Sequence, residues 1–299
     1  MLSSSFSRTV LVLGFLFVGT TNSFAGTTLD RIKQTGVVNL GFREDSLPFS
    51  YKNAEQGDPL GYSIDVCNAL VDALKAETGK PLTVKYVPVT GESRFPYVVD
   101  GKIDLECGNS TNTKARREKV AFSMPLYFSS AKLLVREGSG ITKFSDLAGK
   151  TLAVENGSTG QQIAESRKAA MNTMKVVIAP SSDAGVVAVE TKTADAFMTD
   201  DILLYAFKAQ SKEKLEVAGA VMSIEPLAIS FSKDDKELAT IVDREFTKLT
   251  QSGQLRKLYK KWFQTTLPQR SYNLNVVPNQ LTSEVLIRPS NYVADWTVF

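Results

Sequence analysis

The apolar positions along the chain switch repeatedly between two periods. Residues 36–42 read as a strand, and residues 61–76 as a helix with Ile64, Cys67, Leu70, Val71 and Leu74 on one stripe. Residues 82–89 form a second strand entered through Pro81, 93–100 a short helix, and 103–107 a third strand. This β-α-β-α-β order is the unit of a mostly parallel sheet covered by helices. The same order returns at 151–154, 158–171, 175–179, 182–192 and 194–198. The pattern therefore predicts an α/β protein of two lobes, each built from βαβ units around its own sheet.

Two extended segments, AFSMPLYFSSAKLLVREG and PLAISFSKDD, flank the second run. They read as two strands crossing between the lobes, which together would act as a hinge. The expected division is lobe 1 at 26–131 plus 228–299, lobe 2 at 135–224, and hinge segments near 132–134 and 225–227. An amphipathic helix carrying Leu238, Ile241, Val242, Phe246 and Leu249 should pack on lobe 1; Ser252-Gly253 interrupts it before Leu255, Leu258 and Trp262 resume the stripe. Residues 268–299 read as an extended surface wrap.

The N-terminus changes the picture. Arg8 precedes nine apolar residues, 10–18, and Ser23-Phe24-Ala25 places small residues where a signal peptidase cuts. Nine residues are too few for a bilayer span of about 20. Residues 1–25 are expected to be a cleaved secretory signal, so that the mature protein is exported. Within the 299 residues there is no histidine and the net charge is only +3. The first fact removes His-based triads, general bases and metal ligands; the second gives no basis for nucleic-acid binding. No cofactor is expected.

Four stretches carry candidate chemistry, each at the end of an expected strand. In ECGNSTNTKAR, Asn109 and Thr111 face the cleft and Arg116 folds back over them. A guanidinium pairs with a carboxylate through charge-assisted bonds. The plainer reading is a Thr113 helix cap and a solvated arginine. In VENGSTGQQI, Ser158 and Thr159 open a helix whose free N–H groups attract anions, or simply cap it. In FMTDD, Asp200 is placed to take an ammonium group, or to cap the next helix. Arg43 in GFREDSLPFSYKN and Arg94 in TGESRFP are surface residues when taken singly. Together, three arginines and one aspartate describe a ligand with two anionic groups and one ammonium.

From TLDRIKQTGVVNLGFREDSLPFSY through ECGNSTNTKAR, FSDLAGKTLAV and AFMTDD to KWFQTTLP, the chain resembles the periplasmic solute-binding proteins of polar amino-acid ABC importers, in particular the glutamate/aspartate-binding branch. The resemblance implies the two-lobed periplasmic-binding-protein fold. It also implies that Arg116 holds the ligand α-carboxylate with Asn109, Thr111 and the Ser158-Thr159 turn, that Asp200 takes the α-ammonium, and that Arg43 and Arg94 take a side-chain carboxylate. Gly91 and Ser182 depart from that branch, where a serine and a histidine are expected.

Cys67 on the first helix and Cys107 on the third strand could meet in the helix–sheet interface. A disulfide and two buried thiols are both compatible with that placement. The expected function is capture of glutamate or aspartate by a monomer that serves a membrane permease. Another polar amino acid such as glutamine is an alternative ligand. A dehydratase-like enzyme on the same fold is the alternative of another class, with Glu92, Glu155 and Glu225 as its candidate acids.

Overall fold

The computed structural model describes residues 27–52, 57–168, 171, 173–291 and 293; the expected signal at 1–25 lies outside the described residues. The chain begins with α1 (Thr28–Thr35) and β1 (Val37–Phe42), then a small hairpin of β2 (Asp45–Ser46) and β3 (Ser50–Tyr51). Next come α2 (Tyr62–Thr78), β4 (Thr83–Pro88), α3 (Arg94–Val99), β5 (Leu105–Glu106), α4 (Lys114–Arg117) and β6 (Ala121–Phe122). β7 (Tyr127–Ser129) leads to β8 (Ala131–Arg136), β9 (Thr151–Glu155), α5 (Thr159–Lys168), β10 (Lys175–Ala179), α6 (Ser182–Glu190), β11 (Ala196–Asp200), α7 (Asp201–Gln210) and β12 (Leu215–Ala218). The chain returns through β13 (Glu225–Leu227) and β14 (Ser230–Phe231), and ends with α8 (Lys236–Gln251), α9 (Gln254–Phe263) and α10 (Gln280–Val285).

These strands form two five-stranded sheets, ordered β4-β1-β5-β14-β6 and β10-β9-β11-β8-β12. In the first, β1 runs parallel to β4 and β5; in the second, β9 runs parallel to β10 and β11. The carboxyl ends of each parallel set share one edge, where ligands of open α/β sheets bind.

The boundary at 132–134 needs correction. Those residues lie inside β8, antiparallel to β11 and β12 in the second sheet. The crossing lies earlier, where β7 pairs antiparallel with β13 as a separate two-stranded ribbon. The apolar run of β8 reads as extended in either position, because periodicity reports strand character and not the partner strand. The structure places 225–227 in β13.

The predicted α8 and α9 flank Ser252-Gly253, and Gly253 adopts φ 74°, a left-handed conformation that glycine tolerates without strain. Their apolar stripe, from Leu238 to Phe263, packs on α2. Phe263, Tyr259, Tyr127, Phe49 and Tyr62 form one aromatic group beneath the crossing ribbon, with Tyr259 and Phe263 stacked at 4.4 Å.

The segment from 268 onward is not only an extended wrap. Asn279 caps α10, and its Nδ2 donates to the Phe128 carbonyl at 2.7 Å. The buried Thr282 hydroxyl accepts from the Phe128 N–H at 3.0 Å. The tail is thereby fastened to the outgoing crossing strand. Among the described residues, no helix is long and apolar enough to cross a membrane.

Cys67 and Cys107 are bonded, with Cα atoms 6.2 Å apart. The bridge joins α2 to the residue that follows β5, at the base of the loop carrying Asn109 and Thr111.

Candidate functional site

The two parallel edges face each other, and a small cavity of about 20 Å³ lies between them. Arg43, Arg94, Asn109, Thr111, Arg116, Ser158, Thr159 and Asp200 all line it, together with Glu155 and Thr199. All eight residues singled out in the sequence thus meet in one space.

Local chain geometry explains each placement. Residues 108–112 run alongside the returning strand: Asn112 N–H donates to the Pro226 carbonyl at 2.8 Å, and Ala228 N–H to Ser110 at 2.9 Å. Ser63 also donates its hydroxyl to the Gly108 carbonyl at 2.6 Å. The loop is therefore held rigidly before any ligand is considered. Thr113 does cap α4, accepting from Arg116 N–H at 3.3 Å. The arginine itself is not solvated: it is 7% exposed, and Nη1 donates to the Thr111 carbonyl at 2.9 Å.

Arg94 opens α3 and is also buried. Both Arg94 and Arg116 donate from Nη2 to the Gly157 carbonyl, each at 3.1 Å. Both guanidinia lie over the Phe95 ring, at 4.5 and 5.1 Å from its centroid. Arg94 also donates to the Gly91 carbonyl, while its Nε has no hydrogen-bond partner among the described residues. Burial and the neighbouring charges of Arg116 and Arg43 push Arg94 down to about 9, so it still carries its proton at neutral pH. Burial also lowers Arg116, opposed by Glu225 and other carboxylates. Among the described residues neither arginine is ion-paired, and one neutral carbonyl is a weak shared partner for two cations. An arriving anion would relieve that repulsion.

Arg43 is in a different state. It follows β1 and donates from Nη2 to Asp45 at 2.9 Å and to Glu155. Burial works against its charge, yet Glu155, Asp45 and Glu106 outweigh that and raise its pKa.

Asp200 ends β11 at the N-cap position of α7, but its side chain makes no capping bond. It accepts from Asn109 Nδ2 at 2.8 Å across the cleft. Burial and then the like charge of Glu225 push its carboxyl up to about 8. Its neighbour Asp201 accepts from the hydroxyls of Ser129 and Ser130 at 2.8 and 2.7 Å. Ser158 does cap, accepting from Gln161 N–H at 3.0 Å.

Two cavity residues lay outside the sequence-derived binding set. Thr199 precedes Asp200 and had no distinguishing signal. Glu155 was singled out only as an acid for an enzyme; its position just before the Gly157-Ser158-Thr159 turn was the available sign. Gly91 and Ser182 both adjoin Glu155: Ser182 donates its hydroxyl to Oε2 at 2.7 Å, and a Cβ at Gly91 would lie 2.7 Å from Oε1. Among the described residues, no group of His, Cys, Asp and Glu is arranged to hold a metal ion.

Known proteins resemble this chain in sequence and fold. Residues 38–265 match the family described as bacterial extracellular solute-binding proteins, family 3. The L-glutamate/L-aspartate-binding protein of Pseudomonas aeruginosa is 34% identical over 272 residues, covering 90% of each chain. The glutamate/aspartate import solute-binding protein of Escherichia coli is 35% identical over 258 residues, 84% of each. Among solved structures, the cysteine-binding protein of Campylobacter jejuni superposes with a TM-score of 0.71 at 27% identity, covering 84% of this chain and 99% of that one. These matches are to binding proteins and not to enzymes, and the two-lobed fold agrees with them. The chain belongs to the bacterial extracellular solute-binding proteins of family 3.

Proposed function

We propose that this chain binds an acidic L-amino acid, glutamate or aspartate, in the cleft between its sheets. It would do so as a periplasmic monomer and hand the ligand to the permease of an ABC importer. The observation that carries this reading is the pair of buried arginines, Arg94 and Arg116, sharing one carbonyl across the cleft from a carboxylate without a cap to make. In this reading Arg116, Asn109, Thr111 and the Ser158-Thr159 turn hold the α-carboxylate. Asp200 takes the α-ammonium, and Arg94 with Arg43 faces the side-chain carboxylate. The named ligands of the P. aeruginosa and E. coli relatives support it.

A Kd near 1 μM requires about 8 kcal/mol, within reach of two or three charge-assisted pairs in a cleft shielded from water. Calorimetry on protein refolded free of ligand tests the reading with Glu, Asp, Gln, Asn and Arg. Glutamate or aspartate should bind, and Arg94→Ala should weaken that binding by about 30-fold or more. Unchanged acid binding in Arg94→Ala would remove its assigned role. No binding of either acid would overturn the reading.

Asp200 supplies a second test. Its carboxyl, raised to about 8, holds a proton at neutral pH that an incoming ammonium would displace by favouring the ionised form. The unbound protein then holds more protons than the complex, so affinity should rise with pH up to about 8 and fall again above about 9, where Arg94 loses its proton. Titrations at pH 7 in phosphate and in Tris should differ in apparent enthalpy, reporting release of up to about one proton. Identical enthalpies after correction for dilution would argue against an ammonium at Asp200.

A further inference from the structure

We propose that Glu155 is a specificity-determining residue that lets the cleft take the amides glutamine and asparagine alongside the acids. The inference rests on the binding function proposed above and concerns only the end of the ligand's side chain.

Glu155 ends β9 and is 4% exposed, with both oxygens engaged: Oε1 by Arg43 and Oε2 by the Ser182 hydroxyl at 2.7 Å. Its surroundings are shaped to hold it. The backbone at Gly91 passes so close that a Cβ there would meet Oε1 at 2.7 Å and Arg94 Nη1 at 3.1 Å. Glycine at 91 therefore lets the Asn156 carbonyl, the Glu155 carboxylate and the Arg94 guanidinium all crowd its backbone at the cavity wall. Ser182, fully buried at the start of α6, is short enough to leave room while still donating to that carboxylate.

This arrangement alters what the side-chain end of the cleft recognises. Arg43 already faces Glu155, Asp45 and Glu106, so much of its charge is compensated from within the protein. A ligand carboxylate placed there gains from Arg94 but meets the like charge of Glu155. A carboxamide meets no such opposition: its carbonyl can accept from Arg94 and its NH₂ can donate to Glu155. Two acceptor oxygens on Glu155 leave room for that additional donor, and hydrogen bonds to a charged acceptor are the stronger kind.

The test is calorimetry on the mature protein, refolded free of ligand, with Glu, Asp, Gln and Asn. It is run on wild type, Glu155→Gln and Glu155→Ala, with thermal melts confirming that each variant folds. Wild type should bind glutamine or asparagine within about tenfold of the corresponding acid. Both variants should shift the acid-to-amide preference toward the acid by about tenfold or more. An unchanged preference in the folded variants would overturn the role of Glu155 and leave acidic-amino-acid binding intact. So would wild type that rejects both amides by more than a thousandfold. Wild type that binds none of the four would overturn both readings.

Discussion

Replacing Arg116 by alanine should weaken amino-acid binding by about 10³-fold, the largest loss expected from any single change in the cleft. The side chain is buried, fixed by the Thr111 carbonyl at 2.9 Å and the Gly157 carbonyl at 3.1 Å, and laid over Phe95. In the function proposed above, its removal takes away the paired donors for the α-carboxylate, a group present in every amino acid. The loss should therefore be similar for all ligands, unlike the loss at Arg94, which concerns the side chain. Lysine at 116 should recover only part of the affinity, because an ammonium cannot reproduce the planar fork. Calorimetry with the tightest-binding ligand measures the effect, and a melting curve shows whether the variant is folded. A folded alanine variant binding within tenfold of wild type would show that the α-carboxylate is held elsewhere.

Removing the disulfide should have the largest effect on stability. Cys67 and Cys107 are separated by 40 residues in sequence, and closing a loop of that length restrains the unfolded chain by about 4 kcal/mol. For a chain of this size each kcal/mol moves Tm by roughly 2–4 °C. Cys67→Ser combined with Cys107→Ser should thus lower the ligand-free Tm by about 10 °C. The bridge lies in the interface of α2 with the first sheet and does not line the cavity, so binding at 20 °C should change much less. A double variant that melts with the wild type would mean that the bridge contributes nothing to folding.

Much of the architecture was legible because periodicity reports local structure well. The stripe through Ile64, Cys67 and Leu74 marked α2, and the strand ends marked where Arg43, Thr111 and Asp200 would meet. Strand partners were less legible. β8 has the same apolar character whether it crosses between lobes or joins a sheet, and only its pairing with β11 and β12 decides. α10 was hidden by its neighbours: with so few apolar residues, its position depends on the contacts of Asn279 and Thr282 with Phe128. Glu155 shows a further limit. A carboxylate at a strand end can be solvated, catalytic or paired, and its pairing with Arg43 spans 112 residues of sequence.

The order of strands in the first sheet also bears on how the chain acquires its shape as it emerges. β14 lies between β5 and β6, although the entire second sheet separates it from them in sequence. The second sheet is drawn from one continuous stretch, β8 to β12, and can assemble as soon as that stretch is available. The first sheet has an open seam until Ser230 and Phe231 arrive to pair with both neighbours. A lobe 1 that emerged N-terminus first would leave the edges of β5 and β6 unpaired until β14 arrived, a state prone to sticking to other chains. The cleft, which needs both sheets, is among the last parts of the molecule to exist.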